Sequence, residues 1–275
     1  MIRLLLLFLC FSTVHAYHPT ESILLQLNFL CSQKPYLTCT YHDDILVVDW
    51  LKDQPYDTLW VFNEHARERI TAEVALHTIQ QLVIEKPEKR VTIIPILNVW
   101  GRKEVEKGKT CQRKNKRGVD TNRNYQLGIS HSYRKYGEEY EGPHPLSEKE
   151  TQLVSSILRQ GVKRYINIHS GEFSLYMPYD SVTSPPPNAD KMRQFLDTLH
   201  PLCPECKKGS AAEVSFYKAY GTSVDYAIHN DVPEAYTFEV FGSDNDECED
   251  MFNPKNETKI KNQWSKILMT SLNIQ

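Results

Sequence analysis

Strand-like runs that alternate with helix-like runs along the whole length predict a single α/β domain: a mixed, mostly parallel β-sheet flanked by helices on both faces. Three observations carry this expectation. Short β-branched and aromatic runs have strand length, the segments between them have helical apolar spacing, and a chain of 275 residues that is 40% hydrophobic can bury one sizeable core.

The elements follow in order. Met1 to Ala16 places a basic Arg3 before the apolar run Leu4 to Phe11 and ends in Val14-His15-Ala16, the pattern of a cleaved signal peptide. The run is shorter than the roughly 20 residues a membrane span needs. Thr20 to Leu30 has helical spacing, whereas Ile45-Leu46-Val47-Val48 and Thr58-Leu59-Trp60-Val61-Phe62 are strand-like. Ala72 to Val83 predicts a helix. Val91 to Leu97 predicts a strand whose Pro95 suggests an edge or a bulge. Ser147 with Glu150 resembles a capping box for a helix ending near Leu158, and the strand Tyr165 to Ile168 comes next. Ala189 to Leu199 predicts a helix, Tyr236 to Val240 a strand and Ile260 to Leu272 the last helix. Ser184 to Pro187 and Gly242 to Asp250 read as surface loops. No domain boundary is expected after Ala16, so residues 17–275 form one unit.

Loss of the leader removes Cys10 and Arg3, taking seven cysteines to six and the formal charge from −3 to −4. An even cysteine count suits an oxidising compartment, and Cys31, Cys39, Cys111, Cys203, Cys206 and Cys248 allow up to three disulfides in fifteen pairings. In a secreted chain, Cys203-Pro204-Glu205-Cys206 reads as a structural disulfide rather than a redox motif or half a zinc knuckle. Asn256-Glu257-Thr258 is a glycosylation sequon. The slightly acidic balance excludes a nucleic-acid footprint, since the one basic stretch, Arg113 to Arg117, is short. The expectation is a secreted or lumenal chain without a membrane span, and a monomer.

The chemistry sits in two words. His65-Ala66-Arg67-Glu68 follows the Thr58–Phe62 run, and Ile166-Asn167-Ile168-His169 ends at His169, 101 residues after Glu68. A hydrolytic zinc takes three protein ligands and keeps a fourth position open for the water it acidifies. His65, Glu68 and His169 supply such a set, and the strand-to-helix turn holding the first two lies where open α/β sheets place their sites. His169 is itself followed by Glu172, a rival ligand, which is expected instead on the surface of the next loop.

Four words together, Glu64 to Glu68, Gly118-Val119-Asp120-Thr121-Asn122-Arg123-Asn124-Tyr125, Ile166 to Ser170 and Tyr236 to Glu239, resemble the zinc carboxypeptidases of the A and B type. That resemblance implies one zinc ion on His65, Glu68 and His169. It makes Glu239 the general base and acid, Arg113 the cation that stabilises the oxyanion, and Asn122 with Arg123 the clamp for a substrate's terminal carboxylate. Tyr217, 22 residues before Glu239, matches the mobile tyrosine that closes over that carboxylate and is preferred over Tyr220. Arg67 resembles an arginine beside the substrate backbone, with a salt bridge behind the ligands as the alternative. Val224 matches the residue that selects the substrate side chain; with Ala219 and Thr237 as small neighbours it implies an apolar pocket and an apolar C-terminal preference.

The short interval after Ala16 implies secretion without an inhibitory prosegment, and only 36 residues follow Glu239, too few for an appended β-sandwich. Gly171 stands where digestive relatives commonly carry tyrosine. The substrates implied are peptide and protein C-termini. A related zinc amidase acting on cell-wall or acyl-amino-acid substrates shares the metal words, and a silent peptide-binding paralogue is the reading from outside enzymology.

Overall fold

The computed structural model describes residues 17–125, 137–215, 217–244 and 247–274; the expected signal peptide at 1–16 and Phe216 lie outside them. The chain enters through α1 (Thr20–Gln33) and the hairpin β1 (Leu37–His42) and β2 (Ile45–Trp50), followed by β3 (Thr58–Phe62), α2 (Arg69–Glu85), β4 (Val91–Ile94) and α3 (Val99–Glu106). Next come α4 (Lys149–Leu158), β5 (Arg164–His169), β6 (Glu172–Met177), α5 (Ala189–Leu199), β7 (Lys207–Ser210) and the single turn α6 (Ala211–Val214). The order closes with α7 (Ser223–His229), β8 (Glu234–Phe241), α8 (Cys248–Phe252) and α9 (Glu257–Leu272).

One sheet runs in the order β1-β2-β4-β3-β5-β8-β6-β7, parallel through β4, β3, β5 and β8, with antiparallel pairs β1–β2, β2–β4 and β6–β8. Every residue of β3 and β5 is buried, so both faces of the central sheet are covered, as a parallel sheet requires. Successive β5 side chains reach opposite layers. Arg164 Nη1 donates to the Ser271 carbonyl in α9 at 2.7 Å, whereas Tyr165 donates its hydroxyl to Ser223 Oγ in α7 at 2.9 Å. Leu59, Trp60, Val61 and Phe62 have no exposed surface, and each such burial contributes about 1.5–3 kcal/mol.

The local differences from expectation have simple causes. β4 is an inner strand between β2 and β3, not an edge, and Pro95 follows its last residue, so the missing N–H removes no ladder bond. The capping box is absent: Glu148 is the N-cap, Ser147 Oγ donates to Glu148 Oε1 at 2.6 Å, and Glu150 accepts from Asn115 Nδ2 at 3.2 Å. Glu172 opens β6 rather than lying in a loop, where it accepts from the Tyr176 hydroxyl at 2.8 Å and pairs with Lys207. The segment Gly242 to Asp250 ends inside α8.

The sheet order fixes where a site can form. β4 lies on one side of β3 and β5 on the other, which opens a crevice at the carboxyl ends of β3 and β5.

A candidate metal centre and peptide cleft

His65 and Glu68 occupy the turn between β3 and α2, and that turn is tied down by Asn63. Asn63 takes a left-handed φ of 50°, tolerated by its short polar side chain, and its amide donates to the carbonyls of His65 at 3.1 Å and Glu68 at 3.0 Å. Helix α3 backs the same turn so closely that a Cβ on Gly101 would lie 2.7 Å from Ala66 Cβ.

His169 ends β5 and meets this turn. His65 Nδ1 is 2.7 Å from Glu68 Oε1, His169 Nδ1 is 3.1 Å from Glu68 Oε2, and the two Nδ1 atoms are 3.1 Å apart. Among the described residues this is the one group of three metal-ligating side chains with atoms within 4.8 Å of one another, and Glu172 is not part of it. A tetrahedral zinc with Zn–N near 2.05 Å separates two nitrogens by about 3.3 Å, so the donors fit that ion in type and spacing. Asp120 Oδ1 lies 3.2 Å from His65 Nε2, a partner that places the proton there and turns the Nδ1 lone pair inward. Glu64 Oε2, held by Asn167 Nδ2 at 2.6 Å, lies 3.7 Å from His169 Nε2. Burial opposes charge on both ligands, but their attraction outweighs it: the Glu68 carboxyl is held well below its usual range and His169 is held up at about 9.

Glu239 is the register partner of His169 on β8 and is half-buried; its Oε2 is buried and has no hydrogen-bond partner among the described residues. Burial, and then the charges of Glu68 and Glu172 against that of His169, pushes its carboxyl up to about 8. Both His169 and Glu239 line a cavity of about 270 Å³ with Arg67, Arg113, Asn122, Arg123 and Tyr217.

Asp120 Oδ2 accepts from Arg113 Nε and pairs with Nη2, both at 2.8 Å, while Arg113 Nη1 is 3.3 Å from His65 Nδ1. Asn122 Oδ1 accepts from the Ser223 N–H at 2.9 Å, which aims its amide nitrogen towards His169 Nε2, 3.5 Å away. Arg123 Nη1 donates to the Asn122 carbonyl at 2.9 Å; Nη2 donates to Glu139 Oε1 at 2.7 Å and to the Tyr217 hydroxyl at 3.2 Å. Gly221, at φ 70°, lets the following strand of chain pass against Arg123, since a Cβ there would stand 2.4 Å from the Arg123 carbonyl oxygen.

The structure brings nine of the ten expected site residues to the cavity. Tyr217 lines it and Tyr220 does not. Arg67 stacks its guanidinium 4.3 Å from the Phe252 ring centroid and pairs with Glu138. The disulfide Cys111–Cys248 ties the segment before Arg113 to α8, which carries Phe252; Cys31–Cys39 and Cys203–Cys206 are the other bridges. The exception is Val224. It is buried in the hydrophobic core and does not line the cavity, because the first turn of α7 points it into the domain. Sequence reasoning also passed over Asp120, Glu64, Glu139 and Asp180. The first two stand inside the quoted words, whereas Glu139 and Asp180 carry no local signal.

Comparison with known proteins identifies the family and the fold. Residues 59–269 match the profile of the family described as zinc carboxypeptidase. Carboxypeptidase A4 of Mus musculus is 25% identical over 266 residues, covering 82% of this chain and 62% of the relative. Carboxypeptidase A6 of Mus musculus is 31% identical over 137 residues, 45% of this chain and 31% of the relative. The chain therefore spans less than two thirds of the length of these relatives. Among solved structures, bovine thrombin-activatable fibrinolysis inhibitor in complex with tick carboxypeptidase inhibitor superposes with a TM-score of 0.79 at 21% identity, over 95% of this chain and 97% of that one. Carboxypeptidase A from Helicoverpa armigera gives 0.75 at 21% identity, over 94% and 74%. The profile covers the turn that carries His65 and Glu68, the strands that carry His169 and Glu239 and the segment of Asn122 and Arg123, and on that match the chain belongs to the zinc carboxypeptidase family.

Proposed function

We propose that this protein is a zinc-dependent exopeptidase that releases single residues from the C-termini of peptides and proteins. The observation that carries the reading is the unpartnered Glu239 carboxylate oxygen in the same cavity as the His65, Glu68 and His169 donors and the Arg123 guanidinium. His65, Glu68 and His169 would hold one zinc ion, which supplies Lewis acidity and lowers the pKa of water.

This chain's own residues do the rest. Arg123 and Asn122 bind the substrate's terminal carboxylate, and Tyr217, reaching Arg123 from an exposed position, covers it. Arg113, fixed on Asp120, faces the carbonyl oxygen as negative charge develops there. Glu239 takes a proton from the attacking water and returns it to the departing amine nitrogen. A carboxyl raised by burial to about 8 is suited to both transfers. The apolar side-chain preference expected from Val224 loses its support, because that residue is in the core. Three disulfides, and the absence among the described residues of a helix long and apolar enough to cross a membrane, support secretion.

The test is release of a free C-terminal amino acid from blocked dipeptides and longer peptides by the purified chain, before and after zinc chelation. Loss on chelation and recovery with zinc are expected. Cleavage of simple acyl-amino acids or cell-wall amides in preference to peptides would favour the amidase, and no turnover with intact peptide binding would favour a silent binder.

A further inference from the structure

Asn256-Glu257-Thr258 is the one Asn-X-Ser/Thr triplet in the 275 residues, and it sits at the start of α9. Asn256 and Thr258 are exposed, whereas Glu257 between them is buried and pairs with Lys261 at 3.3 Å. Asn256 stands at the N-cap position, where an asparagine commonly accepts a backbone N–H, yet its side chain makes no such bond. Modification of its amide therefore costs α9 no cap.

Asn256 also lines an open hollow of about 410 Å³ whose apolar walls are Phe173, Phe241, Pro254 and Ile260. The Phe173 and Phe241 rings meet edge to face with centroids 5.7 Å apart, and both are only partly buried. The floor is fixed. Asn253 Oδ1 accepts the Ile70 N–H at 3.0 Å, Asn253 Nδ2 donates to the Arg67 carbonyl at 2.9 Å, and the Pro254 carbonyl accepts from the Tyr17 hydroxyl at 2.8 Å. Lys255 and Lys259, both exposed, add polar lining, and Lys255 pairs with Asp250 at 3.4 Å. An open apolar surface with polar neighbours marks a place where something docks. A sugar ring fits it, because its C–H face covers aromatic surface while its hydroxyls stay in water or reach the charged side chains.

We propose that Asn256 carries an N-linked glycan whose first N-acetylglucosamine ring lies in this hollow, over Phe173 and Phe241. The modification takes its sugar from a lipid-diphosphate-linked oligosaccharide. Asn256 Nδ2 forms a bond to the anomeric carbon, the anomeric C–O bond breaks with its electron pair leaving on the lipid diphosphate, and Nδ2 loses one proton to solvent. The inference goes beyond the peptidase reading and rests on secretion alone. Because the ring is tethered to a residue of the hollow itself, its effective concentration there is high and modest packing is enough to seat it. Met251 and Phe252 line the peptide cleft, and Asp250, Asn253 and Pro254 line the hollow, so the ring braces a segment that both cavities share.

The experiment expresses the full chain with its leader in cultured eukaryotic cells that make only oligomannose glycans, and measures the intact mass and proteolytic peptides of the secreted material. Expected is one glycan per chain, on the peptide that contains Asn256, and its loss in Thr258→Ala. The wild-type glycoprotein is then trimmed in two ways: an endoglycosidase leaves a single N-acetylglucosamine on Asn256, and an amidase removes the whole glycan. The one-sugar form should melt with the intact glycoprotein and about 2–4 °C above the sugar-free form. The aspartate that the amidase leaves at the head of α9 favours the helix, so it works against the expected difference. Phe173→Ser should abolish that difference. A secreted chain with bare Asn256 overturns the inference, as do one-sugar and sugar-free forms that melt alike. Retention in the cell without glycan defeats secretion and the inference with it, whereas release of C-terminal residues is read separately on the same protein. Should Phe173→Ser not fold, the two trimmed wild-type forms decide without it.

Discussion

His169 and Glu239 are register partners on the parallel strands β5 and β8, so one backbone pairing sets an imidazole beside a carboxylate whose Oε2 has no hydrogen-bond partner among the described residues. Adjacent strands lie about 4.8 Å apart, and no loop movement is needed to bring the two groups together. Rigidity of this kind is what a proton-transfer group beside a metal requires.

The first prediction concerns Glu239. Glu239→Gln removes the proton carrier without changing size, and kcat is expected to fall by about 10²–10⁴-fold with the melting temperature unchanged or raised. Steady-state kinetics alongside thermal unfolding checks both; a variant with more than a third of wild-type kcat would remove Glu239 from the mechanism.

Asp120 serves two neighbours, His65 Nε2 and the Arg113 guanidinium. Asp120→Asn is expected to weaken zinc binding by about 10–100-fold and to lower kcat even at saturating zinc, because Arg113 loses its anchor. Titration against a chelator of known affinity measures the first effect, and kinetics at high zinc the second.

Glu139 accepts from Arg123 Nη2 at 2.7 Å, so under the proposed function it competes with a substrate carboxylate for that donor. It is partly exposed, so the pair is screened and its competition modest. Glu139→Gln is expected to lower KM by up to about fivefold with kcat unchanged, and the difference should shrink as salt is raised.

The Asp180–Asp225 pair predicts a pH signature in stability. Asp180 is raised from 3.8 to about 7 by burial and Asp225, while Thr222, Arg123 and His169 pull the other way; Asp225 is also raised, with Ser181 and His229 opposing. Between those values the folded state keeps a proton the unfolded chain has lost, so stability falls as pH rises from about 4 to 7. Asp180→Asn should therefore melt higher than wild type at pH 8, by about 2–4 °C per kcal/mol relieved, and equally at pH 4. Equal melting temperatures at both pH values would contradict the raised carboxyl.

Much of this was legible in the sequence because the relevant signals are local. Thr58 to Phe62 and Tyr165 to Ile168 are buried on both faces, so their apolar runs are continuous, and the ligand words sit directly at their ends. What was not legible depends on neighbours far along the chain. β7 is Lys207-Lys208-Gly209-Ser210, a strand held by pairing with β6 rather than by its own side chains. Pro95 read as a strand residue because nothing local reveals that the ladder stops at Ile94. Val224 matched by spacing, but the orientation of a short helix is set by what it packs on, and Asp225 beside it turns instead to the Asp180 loop. Asp180, in a segment rich in Pro and Ser, looks like a surface acid until the fold closes over it.

Equilibrium dialysis with metal analysis tests directly whether His65, Glu68 and His169 jointly hold zinc. The wild-type chain should bind one zinc ion, and His65→Ala, Glu68→Ala and His169→Ala should each lose most of it while remaining folded by circular dichroism. A wild-type chain that takes up no zinc, or three folded variants that retain a full equivalent, would contradict such joint binding.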